Sequence, residues 1–396
     1  MSDLQSAIKE KAQQQFDYMV QVRRHLHKNP EVSFKEHDTT KFIAGELESM
    51  GIEVHHPLET GCVGVIEGGK KSERVIALRA DIDALAMDEE GEAKKEFMSE
   101  RPGAAHCCGH DAHTANLLGT ARILTELQDN IEGKVLLVFQ PGEEKLPGGG
   151  RLLSETGFLQ DQGVQRIYGL HTSPNYKPGE IATRPGPLMA NTVEFEITLE
   201  GKGGHAATPH LTVDPIVMLG DVISRFQTIV SRSVDPVDSA VVTIGRVNAG
   251  STYNVIPAKA ELIGTVRSFS SETTELIRNR MEQILKGVTD AVGGGFKFQF
   301  NVGYPALIND YKAAETILET GKKLLGNESV LELNNPLLAG EDFSFYLNHF
   351  PGAFFYLGTG SDEADSKWSW HHPRYNIDER GLLIGAEMMA GIGLNI

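Results

Sequence analysis

Val75-Ile76-Ala77-Leu78-Arg79-Ala80-Asp81-Ile82-Asp83 is a short, nearly unbroken apolar block that runs into two carboxylates. A block of this length without polar alternation is expected of a strand buried on both faces, the usual condition in a parallel sheet. Two further blocks have the same character, Val135 to Gln140 and Ile167 to Leu170. From about His113 to Leu127, Leu117, Leu118, Ala121, Leu124 and Leu127 recur at three- and four-residue steps, which predicts a helix. Strands alternating with helices predict an α/β domain with a mainly parallel sheet. Each strand ends in groups able to do chemistry: Asp81 and Asp83 after the first, Glu143 and Glu144 after the second, His171 after the third. In open α/β sheets ligands bind beyond the carboxyl ends of the strands, so one crevice is expected to gather these groups.

The middle of the chain changes character. Val193, Phe195, Ile197 and Leu199 alternate with Glu194, Glu196, Thr198 and Glu200, the pattern of a strand buried on one face. A helix with Ile216, Leu219, Ile223, Phe226 and Val230 on one side follows, then strand-like runs at Val241 to Val247 and Ala260 to Val266. A second helix carries Ile277, Met281, Ile284, Val288 and Val292, and Phe296, Phe298, Phe300 and Val302 alternate in a last strand. The order βαββαβ is that of a ferredoxin-like unit. Pro185-Gly186-Pro187 and Pro305 punctuate its ends, so residues 187–304 are expected as a domain inserted into a larger one made of 1–186 and 305–396.

A chain of 396 residues is long enough for two cores, and a hydrophobic content of 40 % is ordinary for a globular protein. The net charge of −17 argues against nucleic acid as a partner, since phosphate backbones require a basic footprint. Cys62, Cys107 and Cys108 are too few and too odd in number for a disulfide framework, and they suit reduced thiols. The polar, charged stretch Ser2 to Phe16 lacks the features of a secretory signal, and no run is apolar enough to cross a bilayer. A cytoplasmic protein without a membrane partner is the expectation.

Cys108-Gly109-His110-Asp111-Ala112-His113 sets a thiol and an imidazole two residues apart, with a glycine that permits a tight turn. Alone, that pair reads as a buried thiol beside a capping imidazole. With Glu143-Glu144, His171 and His371-His372 at other element ends, it becomes a candidate metal centre. Two adjacent carboxylates repel one another unless one ligates a metal while its neighbour faces the attacking water as a base. Asp81 and Asp83 could ligate or orient a ligating imidazole, or cap the next helix. Asp111 and His113 are expected to cap or orient. In the inserted domain His205 sits in the loop Gly201-Lys202-Gly203-Gly204-His205, where an imidazole could stabilise an oxyanion. Asn254 and Arg267 are ordinary polar residues unless a substrate carboxylate lies near, in which case the arginine offers a bidentate pair.

These stretches together resemble the metal-dependent aminoacylase and carboxypeptidase family, in its branch of N-acyl-amino-acid amidohydrolases. The resemblance rests on residues 79–85, 106–114, 139–144, 169–171, 203–210, 254–257, 340–344 and 371–375, in family order across nearly the whole chain. Ala86, Ala105 and Gly142 stand where the family usually has proline, methionine and alanine, and the loop with Met87-Asp88-Glu89-Glu90 and Lys94-Lys95 is unusually charged. None of these removes a ligand-type residue. The resemblance implies an α/β metallohydrolase domain with a ferredoxin-like lid and dimerisation domain. It implies two divalent ions per subunit held by Cys108, His110, Glu144, His171 and His371, with Glu143 as the general base. His205 would stabilise the oxyanion from the partner subunit, and Asn254 and Arg267 would contact substrate. Zinc or manganese suits this set, and cobalt or nickel is admissible.

The expected activity is hydrolysis of the amide bond of N-acyl amino acids such as N-acetyl or N-benzoyl conjugates, by a homodimer. Three alternatives stay open: a dipeptidase or carboxypeptidase, a hydrolase with Cys108 as covalent nucleophile, and a non-catalytic metal- or peptide-binding module.

Overall fold

The computed structural model describes residues 3–396, so Met1 and Ser2, where the expected catalytic domain and the polar opening stretch begin, lie outside the described residues. The chain divides into two compact units. One takes in the chain up to Leu188 with Ile308–Asn335 and Asp342–Ile396, and the other is Met189–Leu307 with Pro336–Glu341.

The larger unit is built on an eight-stranded sheet in the order Glu53–His55, Cys62–Glu67, Glu132–Gln140, Lys70–Asp81, Arg166–Ser173, Gly352–Gly358, Ile181–Thr183 and Val330–Glu332. The strand Lys70–Asp81 runs parallel to both neighbours, and Arg166–Ser173 runs parallel to Gly352–Gly358. Antiparallel pairs lie where Cys62–Glu67 joins Glu53–His55 and Glu132–Gln140, and where Gly352–Gly358 meets Ile181–Thr183. The mainly parallel α/β sheet expected from the apolar blocks is therefore present. Val135, Leu136, Leu137 and Val138 follow one another at 0 % exposure, and this continuous burial explains why such strands carry no polar alternation.

The helix His110–Glu126 begins three residues earlier than its leucine spacing suggests and is buried along nearly its whole length. It is packed between the helices Asp3–Lys28 and Arg380–Gly393 and the sheet. Small residues make that possible: a Cβ at Gly119 would stand 2.3 Å from Met19 Sδ. The strand after Ile167 also runs three residues past Leu170, so His171 lies within it rather than beyond its end.

The smaller unit has a four-stranded antiparallel sheet in the order Val241–Ala249, Lys259–Arg267, Val193–Glu200 and Gly295–Val302. With the helices Pro215–Ser233 and Ser271–Val292 it forms the ferredoxin-like βαββαβ unit. Asp214 caps the first helix by accepting the Ile216 N–H at 2.8 Å, and Ser270 caps the second by accepting the Thr273 N–H at 3.0 Å. Phe195, Ile197, Leu199, Phe226, Ile277 and Met281 fill its core, while the alternate residues of Val193–Glu200 are more exposed. Truncating a fully buried residue such as Phe195 to alanine would cost about 3–5 kcal/mol. Pro336–Glu341 joins this unit through the Ala190 N–H to Leu337 carbonyl bond at 3.0 Å.

Candidate metal centre

Three neighbouring strands and one helix terminus place the candidate ligands of the larger unit. Asp81 pairs in register with Gln140, which puts Glu143 and Glu144 just beyond the end of the strand beside it. His171 lies on the strand along the other side. Cys108 and His110 flank Gly109, the residue before the helix, whose φ of 94° is in the left-handed region. A Cβ there would also stand 2.3 Å from Thr172 Oγ1 and 2.8 Å from Tyr375 Oη. Glycine is thus required twice over, for its backbone and for the close approach of the neighbouring strand. Gly109 is the N-cap and no side chain caps the helix, so the capping role open to Asp111 and His113 is not adopted.

The ligand-type atoms of Cys108, His110 and His171 lie within 4.8 Å of one another, as do those of Cys108, Glu144 and His371, and those of His110, Glu143 and Glu144. Shared members make these sets one continuous cluster. Cys108 Sγ is 3.4 Å from His171 Nε2, Glu144 Oε1 is 3.3 Å from His371 Nε2, and His110 Nε2 is 3.8 Å from Glu144 Oε1. Ligand atoms each about 2.0–2.3 Å from a tetrahedral ion stand roughly 3.4 Å apart, so these separations suit co-ligands. His110 Nε2 and Glu144 Oε1 are also buried without a hydrogen-bond partner. Such orphaned atoms are costly unless something else satisfies them.

The electrostatics point the same way. Burial and the carboxylates of Glu144, Glu143 and Asp81 push the Cys108 thiol well above its ordinary range. Against the cost of its burial, the carboxylates of Asp81, Asp83 and Glu144 raise His110 to about 10. Burial and the neighbouring His113 imidazole push His171 far below its usual value. Crowded carboxylates here retain protons on groups that divalent cations would displace, because metal ligands bind deprotonated. The donor set fits metal ions. Burial and the surrounding carboxylates keep the proton on Cys108, which disfavours it as a covalent nucleophile.

Supporting groups orient several of the candidate ligands. Asp83 lies below the usual carboxylate range despite its burial, because of His110, Ser33 and the Glu144 amide. It accepts from His110 Nδ1 at 3.1 Å, which turns Nε2 toward the cluster, and from Ser33 Oγ at 2.6 Å and the Glu144 N–H at 3.0 Å. Asp81 accepts from His113 Nδ1 at 2.5 Å and from Arg79 Nη1 at 2.8 Å. His113 Nε2 in turn accepts the Thr172 N–H at 2.9 Å. Asp81, His110 and His113 also sit close enough to share an ion, but both nitrogens of His113 are committed, which sets it behind the candidate ligands. Glu143 Oε1 accepts the Asp342 N–H at 3.4 Å, and Asp342 is held by Arg79 Nη2 at 2.8 Å and the Gly150 N–H at 2.8 Å. Arg79, with no exposed surface, thereby ties the residue behind His113 to the residue behind Glu143.

Distant residues that sequence spacing does not reveal complete the surroundings. Asp111 accepts from Arg23 Nε at 3.2 Å and His27 Nδ1 at 2.8 Å. Trp370 Nε1 donates to the Thr172 carbonyl at 2.8 Å, and the Tyr375 hydroxyl lies 2.9 Å from Thr172 Oγ1. His372 stacks on Trp368 with centroids 4.4 Å apart and is not a member of the cluster. Cys62 and Cys107 are buried thiols pushed up to about 12 by burial.

In the smaller unit the structure brings His205 and Asn254 together. The two-residue strand Gly204–His205 pairs with Val255–Ile256, and the Ala206 N–H donates to the Asn254 carbonyl at 3.1 Å. Both residues are exposed. His205 Nδ1 accepts the Ala207 N–H at 3.0 Å, so the neutral ring carries its proton on Nε2. Arg267, half-buried at the end of Lys259–Arg267, donates from Nη1 to Thr265 Oγ1 at 2.5 Å and to the Val266 carbonyl at 2.9 Å.

Residues 77–395 match the family model for peptidase family M20/M25/M40. N-acetyl-L-cysteine deacetylase of Bacillus subtilis (strain 168) is 41 % identical over 372 residues, spanning 92 % of this chain and 85 % of that protein. IAA-amino acid hydrolase ILR1-like 4 of Arabidopsis thaliana is 38 % identical over 382 residues, spanning 95 % and 85 %. Among solved structures, Bacillus subtilis YXEP protein, described as a dinuclear metal binding peptidase from the M20 family, superimposes with a TM-score of 0.82 at 34 % identity, covering 96 % of this chain and 98 % of that one. With a family match over most of its length and these identities, the chain belongs to peptidase family M20/M25/M40 and is a metal-dependent amidohydrolase.

Proposed function

We propose that the protein hydrolyses the amide bond of N-acyl amino acids, releasing a carboxylic acid and a free amino acid. The observation that carries this reading is the adjacent pair Glu143-Glu144, in which both carboxylates group with His110 while only Glu144 also groups with Cys108 and His371. The Glu143 carboxylate thus stands apart from those two ligands, as a base beside the metal ligands would. Relatives named for deacetylation of N-acetylcysteine and for hydrolysis of IAA-amino acids support the substrate class.

In this reading Cys108, His110, Glu144, His171 and His371 hold two divalent ions, zinc or manganese, with cobalt or nickel as substitutes. When bound, such ions polarise a carbonyl and lower the pKa of water. Glu143 takes a proton from the attacking water as its oxygen adds to the acyl carbon. When the C–N bond breaks, Glu143 returns that proton to the leaving amine. The partner subunit's His205 donates Nε2–H to the developing oxyanion, and Asn254 and Arg267 bind the substrate carboxylate. Residues 187–304 act as the lid and dimerisation domain on a catalytic domain of 1–186 and 305–396, in a cytoplasmic homodimer.

An amine-release screen tests the reading, using N-acetyl, N-benzoyl and longer N-acyl amino acids beside dipeptides, each with Zn²⁺, Mn²⁺, Co²⁺ or Ni²⁺ added. Release of amine from acyl amino acids above that from dipeptides is expected. Preferential cleavage of dipeptides would instead favour a peptidase, and binding without release from any compound would favour a non-catalytic module.

A further inference from the structure

Lys94 is an unexpected interior residue. It closes the short 3-10 turn Glu92–Lys94 in the charged loop where the family motif departs, yet it is only 1 % exposed. A lysine is seldom buried without strong partners. Its ammonium donates to the Pro373 carbonyl at 3.0 Å and the Tyr375 carbonyl at 2.8 Å, and it pairs with Glu89 Oε2 at 2.5 Å. The Glu90 N–H reaches the same Pro373 carbonyl at 2.9 Å. Glu89 stays ionised, since His27 and Lys94 together overcome its burial and hold it down to about 2.

Those two carbonyls belong to the backbone just past His371. His371 stands at φ 64°, a left-handed conformation that is strained for a residue other than glycine and persists only where its surroundings enforce it. Its side chain is 56 % exposed, so packing does little to hold it. Its N–H bond to the Cys107 carbonyl at 2.8 Å secures one end of the loop. Lys94 secures the other. Behind Lys94, Glu89 Oε2 lies 3.0 Å from His27 Nε2, and His27 Nδ1 lies 2.8 Å from Asp111 Oδ2. Buried ionisable side chains therefore run without a break from the His371 loop to the residue that follows His110.

We infer that Lys94 is a positioning residue: by clamping the Pro373 and Tyr375 carbonyls it holds His371 in its metal-binding arrangement. The inference rests on His371 being a ligand, as proposed above. It predicts a selective defect, in which the ion that depends on His371 is loosened while the other is not.

The test is chelator competition with Zn²⁺ on the full-length protein, resolving two affinities and checked by metal content after dialysis. Lys94→Met is expected to weaken one ion about 10- to 100-fold, the range seen when groups supporting a ligand are lost. His371→Ala should weaken the same ion at least as much. Lys94→Arg, which keeps the charge and the donors, should recover part of the loss. Because Lys94→Met leaves Glu89 buried without its ammonium partner, the double variant Glu89→Gln/Lys94→Met provides a balanced background, and it should show the same selective weakening. If His371→Ala weakens one ion while both Lys94→Met variants bind two ions normally, the clamp is refuted and the ligand reading stands. Equal weakening of both ions in the balanced double variant also refutes it, as that marks a general loss of structure. If His371→Ala changes neither affinity, the ligand reading falls and the clamp falls with it.

Discussion

The cluster around Cys108 and the pair His205 and Asn254 are built in opposite ways. In the first, His110 and His171 are buried and each imidazole has its tautomer fixed by an oxygen acceptor, Asp83 for His110 and the Thr172 carbonyl for His171. In the second, both residues are exposed, and the ring of His205 is held by the Ala207 amide. A site for divalent ions gains from a rigid, desolvated interior, where carboxylates act at low dielectric. A group that meets a substrate gains from exposure, provided its proton sits on the correct nitrogen. The contrast fits the proposed division between metal holding and substrate handling.

Two substitutions sharpen the contrast. His205→Ala should have the larger effect, lowering kcat about 10²- to 10³-fold, the usual cost of one oxyanion donor, with zinc content and affinity unchanged. Steady-state kinetics beside metal analysis would check it, and a parallel fall in metal affinity would break the division. Asp83→Asn should do the reverse, weakening metal binding about 10- to 100-fold while activity at saturating metal recovers. The cause is specific: an amide in place of Asp83 keeps a single acceptor oxygen, so it must give up either its hold on His110 Nδ1 or its bonds from the Glu144 N–H and the Ser33 hydroxyl. Persistent loss of activity at saturating metal would instead place Asp83 in the chemistry.

Much of this is legible in the sequence, for definable reasons. The strand Lys70–Asp81 announces itself by an apolar run with carboxylates at its end, and Val193–Glu200 by strict alternation, because each pattern directly records which faces are buried. Most ligand-type residues lie at or near element ends, where an α/β sheet collects them, whereas His371 lies within the long segment between Gly358 and Arg380 rather than at the element end expected of it. The start of His110–Glu126 is hidden because small residues and buried polar side chains in its first turns interrupt any apolar stripe. Arg23, His27 and Lys94 carry no signal. They have partners far away in sequence, such as Asp111 for Arg23 at 3.2 Å and the Pro373 carbonyl for Lys94 at 3.0 Å, and a charged residue reads as solvated surface until the fold places those partners. The same limit applies to Arg79, whose second partner, Asp342, is 263 residues away.

The central claim is that Glu143 moves protons while its neighbour Glu144 holds metal, and Glu143→Gln tests it most directly. The substitution preserves size and removes the base. Turnover of the best substrate from the amine-release screen and metal content, measured on one preparation, should show a loss of about 10²- to 10⁴-fold with two ions per subunit retained. Undiminished turnover, or activity lost only in proportion to lost metal, would contradict the account.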